Sequence, residues 1–313
     1  MSKSLPKDSE SHIIDAAGLI KQFGRTRALD ALDLRVAEGE VHGFLGSNGA
    51  GKSTTIRAIL GQLRLDAGRL RVFGRDPRRD AVAIHADLAY VPGDTVLWPG
   101  LSGGECIDLL GRFSGRQDRR RRDELIEAFE FDPTKRARSY SKGNRQKVAL
   151  IAALATRARL LLLDEPTSGL DPVMEAVFVE EVRRARAEGA TVLLSSHILD
   201  EVEALCDRVT IIRNGRAVSS GSLADLRSHT RSTIEVTTAG PVVLATDADQ
   251  VSVRREPAGL RTVFTVLPEG LPAALEAVAA AAPSQVVVRP PSLDELFLEH
   301  YSDDVAEPAT VSS

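Results

Sequence analysis

Gly46-Ser47-Asn48-Gly49-Ala50-Gly51-Lys52-Ser53 decides the fold of this chain. The stretch fits G-x-x-x-x-G-K-[ST] and stands between an apolar run, Val41 to Leu45, and a helix-like run, Thr54 to Leu60. Strand, glycine loop and helix in that order make a cradle for a triphosphate. The glycines let backbone N–H groups converge on phosphates without Cβ obstruction, and the helix N-terminus adds positive potential. Lys52 is expected to reach the β- and γ-phosphates, and the Ser53 hydroxyl to bind Mg²⁺. The alternative, a glycine-rich turn in an unrelated domain, is argued against by the flanking pattern.

Working outward, the 313 residues allow one large core, or a large one and a small one. A hydrophobic content of 43% with 4% aromatic residues suits an ordinary α/β protein. The net charge of −4 gives no sign of a nucleic-acid binder. Cys106 and Cys206 are far apart and outside any metal-ligand spacing, so two buried thiols in a reducing cytosol are expected. No apolar run approaches the roughly 18 residues of a membrane-crossing helix. The N-terminal stretch Met1 to His12 is polar and lacks the apolar core of a signal peptide. A cytoplasmic chain is expected, with any membrane role exercised through a partner.

Residues 1–11 read as a disordered arm and 302–313 as a disordered tail. Alternation around Ile13 to Leu19 and Leu32 to Val36 predicts strands of a sheet leading into the phosphate loop. Arg69 to Phe73 is a further short strand. From about Leu101 to Thr156 the pattern turns helical and charged. Leu160–Leu163 and Thr191–Leu194 are apolar on both faces, as strands inside a helix-covered parallel sheet must be. A helix from Pro172 to Ala187 separates them. Thr210 to Ile212, the turn Asn214-Gly215 and Ala217 to Ser219 predict a hairpin that closes the first domain, 12–221. The remainder, 222–301, reads as a small α+β domain. It has strands near 233–237, 251–255 and 262–266, an alanine-rich helix over 270–282, the strand Val286–Val288, and a last helix from Ser292, where Glu295 completes capping-box spacing.

Leu160-Leu161-Leu162-Leu163-Asp164-Glu165 sets two carboxylates at the C-terminal end of a buried strand, where α/β sheets bind ligands. Adjacent acids after four leucines need a compensating cation, and Mg²⁺ on ATP supplies one. Asp164 is expected to hold the ion through water, opposite Ser53, and Glu165 to polarise the attacking water as general base. His197 follows the next strand, so it reaches the same sheet edge, where its imidazole can donate to the γ-phosphate.

With these residues in order, the chain resembles the nucleotide-binding subunits of ABC transporters over residues 12–221. The likeness rests on the Walker A loop, Walker B with its following glutamate, the D-loop Ser168 to Asp171, and the H-loop histidine His197. It implies an α/β P-loop NTPase (ABC ATPase) with an inserted helical subdomain, about 95–156, and a small α+β C-terminal domain. It implies ATP and Mg²⁺ as ligands: Gly46, Ser47, Asn48, Gly49, Ala50, Gly51, Lys52, Ser53 and Thr54 cradle the nucleotide, Ser53 and Asp164 serve the metal, Glu165 and His197 serve catalysis, and Asp171 lines the site.

The family's signature loop, LSGGQ, has a near-literal match in Leu101-Ser102-Gly103-Gly104-Glu105. That match lies too early, because the signature should open a helix running directly into the Walker B strand. Tyr140-Ser141-Lys142-Gly143-Asn144 meets the requirement, with Ser141 and Gly143 matching and Lys142 in place of a glycine. In the family this turn presses on the γ-phosphate of ATP bound to the other subunit. Gly93 stands where the family has a glutamine, so either Asp94 takes over part of its role or coupling works without a side chain there. Phe23 stands where an aromatic ring stacks on adenine; the alternative is a core phenylalanine beside a strand. Arg119 to Arg122 reads as a solvated helical face, or as a contact for anionic headgroups or a permease loop.

The resemblance implies an ATP hydrolase that closes as a head-to-tail homodimer around two ATPs and energises separate permease subunits at the inner face of the membrane. The ending Pro291 to Leu298 resembles the C-terminal extension of daunorubicin-resistance export ATPases, which favours export of a small hydrophobic, drug-like or antibiotic substrate. The competing reading is a soluble ABC-type ATPase acting on ribosomes or nucleic acid. Such relatives carry two cassettes, a long coiled coil or zinc-binding cysteines, none of which is read here.

Overall fold

A computed structural model of the chain describes residues 12–289 apart from 116, 229–230, 243, 245–247 and 257–258. The expected arm, the tail, the helix from Ser292 and the stretch Pro291 to Leu298 lie outside the described residues. The chain divides after Ser220 into two compact units.

The first unit opens with β1 (His12–Phe23) and β2 (Thr26–Ala37), then β3 (Val41–Leu45), α1 (Lys52–Ile59) and β4 (Ala67–Val72). The first two strands do not join the sheet that carries the phosphate loop, as the alternation had suggested. They form an antiparallel sheet of their own, in the order β2-β1-β4. The physical reason is legible in burial. β2 alternates buried and exposed residues, whereas all five residues of β3 are buried. A strand wetted on one face suits an antiparallel sheet, and one covered on both suits the interior of a parallel sheet.

The remaining elements of this unit are α2 (Ala81–His85), β5 (Leu88–Val91), α3 (Gly103–Ser114), α4 (Arg119–Ala128), α5 (Lys142–Leu154), β6 (Leu160–Asp164), α6 (Pro172–Ala187), β7 (Thr191–Ser196), α7 (Leu199–Leu205), β8 (Arg208–Arg213) and β9 (Arg216–Ser222). Six strands form the main sheet in the order β5-β6-β7-β3-β8-β9. The pairs β5–β6, β6–β7, β7–β3 and β3–β8 are parallel. β8 turns into β9 across Asn214 and Gly215, whose φ angles of 49° and 77° are those of a tight hairpin turn. One apolar cluster, including Ile14, Leu19, Leu32, Phe44, Ile56, Ile59, Leu162 and Leu193, joins the two sheets.

This order puts β7 between β3 and β6. The phosphate loop after β3 and the acid pair after β6 therefore meet at one edge of the sheet. The helices α3, α4 and α5 form the insertion between β5 and β6. In it, Arg121 corrects the reading of Arg119–Arg122 as a uniformly solvated face: its guanidinium is buried and ion-paired with Glu181 of α6, while Arg119 and Arg120 are exposed.

The second unit holds α8 (Leu223–Ser228), β10 (Ser232–Thr238), β11 (Asp249–Glu256), β12 (Gly259–Val266), α9 (Leu271–Ala280) and β13 (Gln285–Arg289). Among the described residues its strands are ordered β11-β12-β10-β13, and the β10–β12, β10–β13 and β11–β12 pairs are antiparallel. Ile234, Val236, Phe264 and Val266 meet Ala274 and Val278 of α9 in its core. Glu235, one residue out of phase with that core, is held by Arg261 and Arg289.

Candidate nucleotide site

The loop between β3 and α1 is shaped by two kinds of glycine. Gly49 and Gly51 have φ angles of 84° and 117°, in the left-handed region that side chains rarely adopt. Gly46 is constrained by space: a Cβ there would lie 2.6 Å from the carbonyl oxygen of Ile212, and one at Gly51 would lie 2.7 Å from that of Ala28. The β1–β2 hairpin and the end of β8 thus brace the loop from behind. Ser47, Asn48 and Gly49 remain exposed at its mouth, as does Ser53, while Gly51, Lys52 and Thr55 are buried. The helix start is held by Thr55 N donating to the Gly51 carbonyl at 2.9 Å.

The Lys52 ammonium donates to the Gly46 carbonyl at 2.5 Å and to that of Ser47 at 3.3 Å. Burial pushes its pKa down, against the pull of the Glu165 and Asp164 carboxylates. Asp164 ends β6 and is 8% exposed. Burial raises its pKa, outweighing the Ser195 and Ser53 hydroxyls and Lys52, which lower it, while Glu165 adds to the rise. A desolvated carboxylate, a serine hydroxyl bonded to it and a desolvated ammonium therefore converge at the loop. Each gains from a ligand that brings both anionic oxygens and a cation.

Glu165, the next residue, has a φ of 48°, an arrangement costing a non-glycine residue about 1–3 kcal/mol. Its N–H donates to the Ser195 carbonyl at 2.8 Å, tying the turn to β7. Its carboxylate lies 3.3 Å from His197 Nδ1. The expected base and the expected γ-phosphate sensor thus touch, and both have solvent-exposed surface.

Phe23 ends β1 and is 49% exposed, with Lys21 Nζ 5.3 Å from its ring centroid. It is no core phenylalanine, and an open face suits stacking. Asp171 spends a carboxylate oxygen on the N-cap of α6, accepting from Val173 N at 3.1 Å and Met174 N at 3.0 Å. Ser141 caps α5, accepting from Asn144 N at 3.3 Å, and α5 leads into β6. Gly143 packs on the D-loop of its own chain, where a Cβ would lie 2.2 Å from the Gly169 oxygen. The literal match at Leu101–Glu105 is a helix cap: Glu105 N donates to Ser102 Oγ at 3.2 Å and Ser102 N to Glu105 Oε2 at 2.6 Å. It opens α3, which does not lead to β6.

Gly93 lies where a Cβ would be 3.1 Å from the Asp164 carbonyl oxygen, and Asp94 is exposed. Three polar side chains around the site were not read from the sequence. Gln146 of α5 accepts from Thr95 Oγ1 at 2.9 Å and donates to the Pro92 carbonyl at 3.3 Å, joining the helical insertion to the segment around Gly93. Thr167 donates to the buried Glu201, which also accepts from Ser196 Oγ at 2.9 Å. The available signal for Glu201 was its place four residues after His197, at the start of a helix with an otherwise buried face.

Comparison with known proteins fits this arrangement. The ABC transporter family profile matches residues 29–168. The daunorubicin resistance ATP-binding protein of Streptomyces coeruleorubidus is 37% identical over 93% of this chain and 96% of its own length. The Nod factor export ATP-binding protein I of Rhizobium sp. (strain N33) is 33% identical over 91% of this chain and 95% of its own. A solved ATP-binding subunit of an ABC transporter superposes with a TM-score of 0.65 at 31% identity, covering 69% of this chain and 92% of that one. A dimeric ATP-binding cassette bound to ADP and Pi shares the fold with a TM-score of 0.61 at 22% identity, covering 67% of this chain and 98% of that one. A P-loop cradle at a parallel sheet edge, an acid pair and a histidine across from it, and relatives matched through both units agree: the chain belongs to the ABC transporter ATP-binding family and is an ATP hydrolase.

Proposed function

We propose that this chain is the ATP-driven subunit of an exporter, moving a small hydrophobic, drug-like or antibiotic substrate through a separate membrane permease from the cytoplasmic face. The observation that carries the reading is the length of the likeness to the daunorubicin resistance protein. It extends beyond the cassette into the second unit, where nothing in ATP hydrolysis itself requires resemblance. The relatives named for Nod factor export and bacitracin transport support it. Among the described residues no helix is long and apolar enough to cross a membrane.

Within the cassette, the loop from Gly46 to Thr54 binds the triphosphate of ATP, with Lys52 neutralising its outer phosphates and Phe23 stacking on the base. Among the described residues no group of three or more His, Cys, Asp and Glu side chains gathers that could hold a metal ion. Mg²⁺, whose preference is for hard oxygen donors, would be held by Ser53 Oγ and through water by Asp164, and would offset charge on the phosphates. Glu165 takes the proton of the attacking water, and His197 orients Glu165 and donates to the γ-phosphate.

A second copy completes the site. Ser141, Gly143 and the N-terminus of α5 present N–H groups to the γ-phosphate of the opposite subunit, so ATP holds two copies head to tail. Cleavage removes that phosphate and the copies part. A groove of about 480 Å³, lined by Tyr90, Pro92, Thr95, Leu97, Leu110 and Phe113, is the surface for the permease. It begins next to Gly93 and is flanked by Val96 at 85% and Trp98 at 44% exposure, apolar groups that want a cover.

The test is reconstitution in vesicles with whatever multi-span membrane protein co-purifies with the chain from detergent-solubilised membranes. ATP-driven movement of a hydrophobic dye such as daunorubicin is expected, and should be abolished by Glu165→Gln. Recovery of the chain with ribosomes and not with membranes would overturn the reading.

A further inference from the structure

The replacement of a signature glycine by Lys142 has a structural counterpart in the same chain. Lys142 Nζ donates to Ser168 Oγ at 2.6 Å. Its Cγ and Cδ lie 3.3 and 3.4 Å from where a Cβ on Gly169 would stand, and the neighbouring Gly143 is packed on the Gly169 carbonyl. The start of α5 and the segment 168–169 are thus one block. That segment closes a turn on the expected base: Ser168 N donates to the Glu165 carbonyl at 3.2 Å, and Leu170 N to that of Thr167 at 2.9 Å. On the far side, Thr167 is anchored to buried Glu201, which also takes Ser196 Oγ. Ser196 Oγ in turn receives Ile198 N at 2.9 Å, fixing the backbone on both sides of His197.

We propose that Lys142 is a positioning residue for hydrolysis, fastening the start of α5 through Ser168 to the turn that carries Glu165. The proposal rests on the reading of Ser141–Asn144 as the signature turn and of Glu165 as the base. A displacement of α5 when its N-terminus engages a phosphate is then passed to Glu165 through a hydrogen bond and a single turn. Glu165 sits in a left-handed conformation, which persists only when its surroundings hold it. Glu201 anchors the turn in the core, and Lys142 holds its outer end. The alternative role for such a cation is direct contact with the phosphate of the opposite subunit's ATP, and the two roles separate experimentally because only the first requires Ser168.

Lys142 is exposed, so its variants should fold. Steady-state ATP hydrolysis by the full chain is measured for Lys142→Met, Ser168→Ala, the double variant and Lys142→Arg. Each of the first two should lower kcat by roughly ten- to a hundredfold, the scale of a misplaced catalytic group, with KM for ATP little changed. The double variant should be no worse than either single one, and Lys142→Arg should recover most of the rate. In a Glu165→Gln background, where ATP should trap the dimer, adding Lys142→Met should leave dimerisation on size-exclusion chromatography intact. Unaltered kcat in Lys142→Met, additive losses, or a lost dimer with normal hydrolysis in Ser168→Ala would each overturn the proposal. Failure of Glu165→Gln alone to dimerise on ATP would instead remove the reading beneath it.

Discussion

The phosphate loop and the turn that opens α5 are both glycine-bearing entries to a helix, yet one keeps every glycine of its pattern and the other has exchanged one for lysine. The difference follows from what stands behind each position. Gly46 and Gly51 face backbone carbonyls at distances no side chain tolerates, and Gly143 faces the Gly169 oxygen more closely still. Lys142 points outward and is exposed. A glycine in such a loop is indispensable where a carbonyl fills the place of its Cβ or where its φ is positive, and replaceable where neither holds. The α5 turn has accordingly kept the glycine that packs and exchanged the one that does not, and the new side chain has found Ser168.

The strongest way to separate the two loops is at the residue that serves both. Glu165→Gln should reduce ATP hydrolysis by roughly 10²–10⁴-fold, the range for loss of a general base, while ATP binding by the phosphate loop persists. An ATP-dependent dimer on size-exclusion chromatography is the expected companion. Normal hydrolysis by a monomer would undo the scheme. The next effect down is Gly143→Ala. A methyl forced against the Gly169 carbonyl should cost about 1–3 kcal/mol or shift the turn, slowing hydrolysis with nucleotide binding nearly unchanged. Gly49→Ala offers the contrast, since no atom lies within 4 Å of a Cβ there and the loss should come through strain at its positive φ and show in ATP affinity. Equal effects of the two on affinity would erase the distinction between the loops.

This contrast also marks how far the sequence could be read. The phosphate loop and the runs around Leu160 and Thr191 were legible because their patterns are local: glycines at fixed offsets, and strands apolar on both faces. The rejection of Leu101–Glu105 rested on order along the chain, and the capping box that occupies it uses the same Ser-x-x-Glu spacing that was recognised at Ser292. The membership of β1 and β2 in a separate sheet was not legible, since alternation shows that a face is buried and not against what. Arg121 escaped for the same reason: four arginines in a row say nothing of which one the helix turns toward Glu181. The polar ties through Gln146, Glu201 and Lys142 join residues 26 to 54 positions apart, a range over which a single sequence carries no pairing signal.

Phe23 tests the outer edge of the phosphate loop. Stacking of this exposed ring on a base is worth about 0.5–1.5 kcal/mol, so Phe23→Ala should weaken ATP binding by roughly two- to tenfold, and Phe23→Tyr should leave it nearly unchanged. Calorimetric titration with ATP distinguishes these outcomes. An unchanged affinity in Phe23→Ala would leave Lys21, poised over the ring, as the reason for the exposed phenyl.

The smallest expected effect concerns what anchors the D-loop side and appears in stability. Burial raises the Glu201 carboxyl above the usual range, although the Thr167 and Ser196 hydroxyls pull it down. The folded chain therefore retains this proton at pH values where the unfolded chain has released it. Stability from this group is fullest below the ordinary carboxylate pKa of about 4.3 and declines as pH climbs to the raised one. Asp164, also raised by burial, contributes a slope of the same sign at the phosphate loop. Melting temperatures of the nucleotide-free chain measured upward from about pH 4 should fall less steeply in Glu201→Gln than in the parent. Because Mg²⁺ and ATP are expected to engage Asp164 and not Glu201, adding them should flatten the part of the slope that Glu201→Gln leaves behind. If the two treatments removed the same part, the anchor of the D-loop and the phosphate loop would titrate as one site, and the division between the two regions would not hold.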